Sequence, residues 1–130
     1  MQPEKLKYNP SHEWVGVNEQ DGKRIAVIGI TDFAIEQLTD LVYMALPKVG
    51  AQVTAGKEFG EVESVKAVSP LYSPVTGQVV EVHDELVDQL ETLGDDPFGN
   101  GWIIKVNLAD EAQLDGLLDY AAYKKQCADS

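Results

Sequence analysis

The sequence predicts a mainly β domain of the α+β kind, a compact sandwich or barrel with helices at its periphery. Three observations carry this. Short apolar runs rich in β-branched residues recur through the middle of the chain. Glycines and prolines punctuate them. Helical spacing of leucines is confined to short stretches between and after the strands.

Taken in order, IAVIGI (25–30) is a continuous apolar run between Gly22 and Thr31-Asp32, and reads as a buried strand. Thr31 or Asp32 can cap a short helix reaching Leu38, with Ala34, Leu38 and Leu41 on one face. LVYMALP (41–47) reads as a strand ended by Pro47. KVGAQVTAGKE is turn-rich, and EFGEVES (58–64) is strand-like. SPLYSP (69–74) is expected to be broken by its two prolines, so the next strand is QVVEV (78–82). HDELVDQLETL (83–93) spaces Leu86, Leu90 and Leu93 as a helix does, and GDDPFGNG (94–101) is a loop. WIIKVNL (102–108) alternates, with Ile104, Val106 and Leu108 on one face. Asp110 and Gln113 resemble a capping box, ahead of a terminal helix with Leu114, Leu117, Leu118 and Ala121 on one side. Gly22-Lys23 and Gly56-Lys57 open two strands alike, a faint internal echo.

At 130 residues the chain is one domain's worth, residues 1–130, and can bury roughly two thirds of its unfolded surface. The net charge of -12, from 22 acidic against 10 basic residues, argues against nucleic-acid and anionic-membrane partners, since phosphate would be repelled. It suits basic partner surfaces. The single cysteine, Cys127, allows no disulfide within the chain and no cysteine metal site. The N-terminal MQPEKLKYNP has no apolar signal core, and no stretch is long and apolar enough to span a bilayer. A cytoplasmic place is expected. A mitochondrial matrix protein with its presequence removed would read the same.

Enzyme chemistry finds little support. His12 and His83 lie in no metal-ligand spacing and read as ordinary imidazoles. GAQVTAGKE (50–58) fails as a phosphate loop, because five residues separate its glycines and Glu58 stands where a magnesium-binding hydroxyl belongs. There is no G-x-S-x-G elbow. Asp95-Asp96 reads as a solvated loop pair.

One residue stands out. Lys66 follows EVES and precedes a proline-broken stretch, so it sits near the tip of a hairpin-like reversal. A lysine at a tip is ordinarily a solvated charge, and the hairpin alone favours that reading. Acylation is the alternative. It removes the charge, and a long acyl arm on an exposed tip can reach several enzymes in turn at high effective concentration.

Here the sequence resembles the glycine cleavage H-protein family, which carries lipoate. The resemblance spans nearly the whole chain: HEWV (12–15), VIGITDFAIEQLTDLVYMALPKVG (27–50), ESVKA (63–67), LYSPVTGQVVEV (71–82), DPFGNGWIIKV (96–106) and LLDYAAY (117–123), in order and with compatible spacing. It implies a lipoyl-domain-like fold, a flattened barrel-sandwich hybrid of two antiparallel sheets with peripheral helices and a C-terminal helix. It implies lipoate in amide linkage on Lys66, with Glu63, Ser64, Val65 and Ala67 read by the lipoylating enzyme. Biotin carriers flank their lysine with methionines, which are missing here. Glu13 and Ser69 match positions near a cleft into which the arm folds back. The implied role is that of a carrier rather than an enzyme. A pyridoxal-phosphate glycine decarboxylase loads an aminomethyl group, a folate-dependent aminomethyltransferase removes it, and dihydrolipoyl dehydrogenase, a flavoprotein, reoxidises the dithiol. A lipoate ligase or a lipoyl or octanoyl transferase would attach the arm, and a monomer is expected. Two departures stand out. Pro70 replaces a residue that is usually acidic, leaving Glu13 to compensate, and QLETLG (89–94) replaces the usual N-P-E-L-V-N. They keep open an H-like lipoyl carrier of another pathway, a lipoyl relay or heterodisulfide-reductase-like sulfur oxidation. An interaction domain with an unmodified lysine is the reading from a different class.

Overall fold

Two antiparallel sheets pack face to face in a computed structural model that describes residues 2–38, 40–109 and 111–129. The strands are β1 (Lys7–Tyr8), β2 (Glu13–Gln20), β3 (Lys23–Ile30), β4 (Leu41–Ala45), β5 (Gln52–Val53), β6 (Glu58–Ser64), β7 (Val68–Tyr72), β8 (Gly77–Val82) and β9 (Ile104–Leu108). The helices are α1 (Asp32–Leu38), α2 (Glu91–Asp95) and α3 (Tyr120–Ala128). The larger sheet runs β1-β2-β3-β9-β8-β5 and the smaller β4-β6-β7. Among the described residues neither closes into a barrel, so the sandwich half of the expectation describes the architecture.

The main core lies between the sheets. Val15, Ala26, Ile28, Ile30, Val79, Ile104 and Val106 of the larger sheet meet Met44, Phe59, Val62 and Leu71 of the smaller. Leu86 and Leu93 close it and are fully buried. A second cluster of Leu6, Tyr8, Trp14, Val27 and Tyr123 covers the outer face of β2 and β3. Strand β3 is therefore buried on both faces, which explains why its apolar run does not alternate with polar residues.

Several expectations need correction. Residues 69–74 are not simply broken, because β7 passes through Pro70, which pairs with Glu61 of β6. Strand β7 is an edge strand, so the missing N–H of proline costs no ladder bond on the open side. The hairpin from β6 thus returns at once as β7, while β8 belongs to the other sheet. Strand β5 was hidden in the turn-rich stretch. Residues 83–93 form a 3₁₀ turn (Asp84–Asp88) and the start of α2 rather than one helix. The terminal helix begins at Tyr120, capped by Asp119, whose side chain accepts from the Ala122 N–H. Leu114 lies in a 3₁₀ turn (Glu111–Gly116), and Leu118 makes a bridge to Tyr8. Leu41 stands in β4, not on α1. The expected cap at Asp110 lies outside the described residues. Gln113 instead clamps Thr76, accepting from its N–H at 2.6 Å and donating to its hydroxyl at 3.0 Å. Gly22 and Gly56 share a left-handed backbone, with φ of 77° and 82°, but the strands they open lie in different sheets.

Gly29 on β3 is a close-approach position. A β-carbon there would stand 2.5 Å from the Trp14 indole, which is buried and donates to the Pro97 carbonyl at 3.0 Å. Gly29→Ala is expected to cost roughly 1–3 kcal/mol, as overpacking does. Gly94→Ala, which meets nothing within 4 Å, is expected to be neutral or to gain about 0.5 kcal/mol. Urea unfolding of the two variants checks the contrast.

Candidate functional site

The β6–β7 hairpin places Lys66. Its last paired residues are Glu63 and Val68, and the tip is made by Ser64 to Ala67. The Ser64 N–H donates to the Ala67 carbonyl at 2.8 Å. The Ser64 hydroxyl oxygen accepts from the N–H groups of Ala67 (3.2 Å) and Lys66 (3.4 Å). Ser64 is only 7% exposed, so its bonds are made away from bulk water. From outside the hairpin, the Val65 N–H donates to the Asp40 carbonyl at 3.0 Å. Val65, Lys66 and Ala67 themselves face solvent. The result is a braced main chain under an open ammonium, and among the described residues Lys66 forms no ion pair.

Ser64 is the residue in this motif whose chemistry the turn uses. Ser64→Ala is expected to speed amide hydrogen exchange at Lys66 and Ala67 severalfold. It should lower stability by about 1 kcal/mol. Exchange measured residue by residue checks this.

Beside the hairpin lies a cavity of about 330 Å³. Glu13 and Ser69 both line it, together with the apolar side chains of Ile30, Val62, Leu71 and Leu38. One wall is the Ser11–Glu13 segment entering β2, and another is the face of α1 that carries Phe33, Ala34 and Gln37. Glu13 is 1% exposed. One carboxylate oxygen accepts from the Asn9 amide at 3.2 Å and from the Ser11 hydroxyl, and the other accepts from the Tyr72 N–H at 3.2 Å. Burial pushes its pKa up to about 7, against the pull of those donors. Pro70 lines the same cavity and brings no charge, so Glu13 is the single carboxylate among the lining residues.

A carboxyl whose folded pKa is raised holds its proton more tightly than the unfolded chain does. Its contribution is therefore whole below the ordinary value of 4.5, falls as pH rises, and is lost above about 7. Glu13→Gln has no such proton. Relative to the parent, it is expected to gain on the order of 3 kcal/mol across that interval. Urea unfolding of both proteins from pH 4 to 8 checks the slope.

His12 is less ordinary than the sequence suggests. It lines the cavity, adopts φ of 82°, and places Nδ1 2.7 Å from the Tyr123 hydroxyl. Burial lowers its pKa. Its place beside Glu13 in HEWV was a usable signal, but its left-handed backbone was not. His83 lies elsewhere, stacked on Trp102. Among the described residues, no group of three or more His, Cys, Asp or Glu side chains is placed to hold a metal ion. Every buried side-chain nitrogen and oxygen among them has a partner.

Fold and site together define a two-sheet domain that presents one lysine on a braced hairpin beside a cavity with a buried carboxyl. The family model described as "Glycine cleavage H-protein" matches residues 6–130. The chain is 57% identical over 128 residues to the glycine cleavage system H protein of Rhodopirellula baltica, covering 98% of this chain and 96% of that one. It is 50% identical over 126 residues to that of Marinobacter nauticus, covering 97% and 95%. The crystal structure of a glycine cleavage system H protein from Mycobacterium marinum superposes with a TM-score of 0.86 at 40% identity, covering 98% of this chain and 99% of that one. The chain belongs to the glycine cleavage H-protein family.

Proposed function

We propose that this chain is the lipoyl carrier of glycine cleavage, with lipoate in amide linkage on Lys66. The observation that carries the reading is the lysine itself. It is exposed at the tip of a hairpin whose main chain is held by Ser64, inside the motif ESVKA. Attachment needs a neutral amine that attacks an activated lipoyl carbonyl, with loss of the activating group and one proton. An amine in open solvent at a fixed place suits that step. Glu63, Ser64, Val65 and Ala67 supply the surface that the attaching enzyme reads, whether a lipoate ligase or a lipoyl or octanoyl transferase.

The residues present fit the group. The cavity is mostly apolar in its lining, as a hydrocarbon arm requires, and its buried carboxyl suits a cationic amine at the arm's end. Glu13 and Ser69 would meet the arm there. Ser69 is three residues from Lys66 along the chain, on the strand that leaves the hairpin. When bound, lipoate supplies a disulfide that accepts an aminomethyl group from decarboxylated glycine and ends as a dithiol. The chain's part is to present, shelter and release. Its partners would be the pyridoxal-phosphate glycine decarboxylase, the folate-dependent aminomethyltransferase and dihydrolipoyl dehydrogenase. The net charge of -12 supports basic docking surfaces on them. The carrier works as a single-domain monomer without catalytic residues of its own. The bacterial relatives support a cytoplasmic place rather than a mitochondrial one. Among the described residues, no helix is long and apolar enough to cross a membrane.

Pro70 favours a second reading, an H-like lipoyl carrier of another pathway, because the cavity has one carboxylate where two are usual in the family. One mass-spectrometric series separates the readings. The protein is treated with a lipoylating enzyme, then with glycine and the decarboxylase, and the Lys66 peptide is mapped after each step. Lipoate followed by a glycine-dependent gain supports glycine cleavage. Lipoate alone shifts the reading to another lipoyl pathway, and a bare Lys66 refutes both. Lys66→Arg is expected to take no lipoate while keeping parent stability within about 0.5 kcal/mol, because the side chain contributes nothing to the core.

A further inference from the structure

A second cavity, of about 320 Å³, lies where α1, the entry to β4 and α2 meet. Ile35, Leu41 and Leu90 give it an apolar lining, half-buried and packed against the main core. Asp40 and Glu91 add two exposed carboxylates, and Gly94 adds no side chain. Among the described residues neither carboxylate forms an ion pair, and none of the lining residues is basic. Half of the lining, Leu90, Glu91 and Gly94, comes from QLETLG, the stretch in which this chain departs from the usual pattern of its family.

This cavity adjoins the lysine hairpin. Asp40, which lines it, accepts from the Val65 N–H through its carbonyl at 3.0 Å. Leu41, the next lining residue, pairs with Ser64. Lys66 follows Val65 directly, and the Val65 side chain is 67% exposed. A molecule seated in the cavity is therefore a neighbour of the tip.

An apolar lining with two unpaired carboxylates suits one kind of guest. A long basic side chain lays its hydrocarbon stem on apolar surface and keeps its charged head at the carboxylates. An anion would be repelled, and a wholly apolar group would leave both charges without a partner. Proximity selects among the enzymes that handle the arm. Those that act on a lipoyl group can stand off by the length of that arm. The enzyme that attaches it must bring its reacting carbonyl to Nζ of Lys66 itself, which brings its surface over the ground beside the tip.

We propose that the cavity between α1, β4 and α2 is the docking site of the attaching enzyme, and that it seats an arginine or lysine side chain of that enzyme. The inference deepens the carrier reading and rests on it. Recognition then extends beyond ESVKA to a patch that the hairpin motif does not contain.

Asp40→Asn with Glu91→Gln removes both charges and keeps the side-chain shapes and the Asp40 carbonyl. Glu19→Gln with Asp21→Asn, at the turn between β2 and β3, makes the same change in net charge far from the cavity and serves as the control. Parent and both variants are titrated as substrates of a lipoate ligase, and attachment is read from the Lys66 peptide. The cavity variant is expected to raise KM roughly three- to tenfold with kcat unchanged, the range that two partly exposed charge pairs support. The difference should narrow as salt is added, because such pairs are screened. Acetylation of Lys66 by a small reagent should proceed at one rate in all three proteins. An unchanged KM, an equal rise in the control, a difference that salt does not narrow, or an altered rate of acetylation would each overturn the proposal while leaving the carrier reading intact. A parent Lys66 that takes no lipoate would sink both.

Discussion

Burial of β3 on both faces is the constraint on which the rest of the molecule depends. Ala26, Ile28 and Ile30 face the smaller sheet, while Val27 and Gly29 face Trp14 and the second cluster. A strand covered on both sides must be paired along both edges, and β2 and β9 do this. Much of the cavity's other wall follows from that strand. Its partner β2 begins at Glu13, its own end delivers Thr31 to cap α1, and the cluster on its outer face seats Tyr123. The cavity is thus the gap left where the two sheets part at the end of β3, with α1 as its cover.

Glu13 shows how the two sheets are joined at that gap. It starts β2 of the larger sheet, yet one of its oxygens is bonded to the main chain of Tyr72 on β7 of the smaller. Three donors and, among the described residues, no ion pair meet this carboxyl, so burial leaves its charged form the costlier one. A permanent ion pair would instead favour the charged carboxylate.

Much of the fold was legible because its signals are local. The unbroken apolar run of IAVIGI marked a strand covered twice, and Thr31 beside Asp32 marked a helix start. The exposed tip position of Lys66 was legible from the residues around it, since a lone lysine carries no signal of its own. The misreadings share one cause. Pro70, the leucines of 114–118 and the helix-like spacing of 83–93 were judged by local rules, and partners distant in sequence decided them. Strand β6 recruits the proline-bearing segment into an edge, and the bridge from Leu118 to Tyr8 delays the last helix. His12 was missed for the same reason, because its partner lies 111 positions away and its backbone conformation leaves no trace in composition.

The proline on β7 has a consequence for behaviour in a crowded solution. An exposed hairpin strand ordinarily offers a row of free amides to any passing strand. Strand β7 is such an edge, and at residue 70 the row is interrupted by a ring with nothing to donate. The side chains at the tip stay exposed, whereas a strand pairing along this edge would lack a hydrogen bond at residue 70. Exposure of the tip and protection of the edge are thereby assigned to different atoms of the same hairpin.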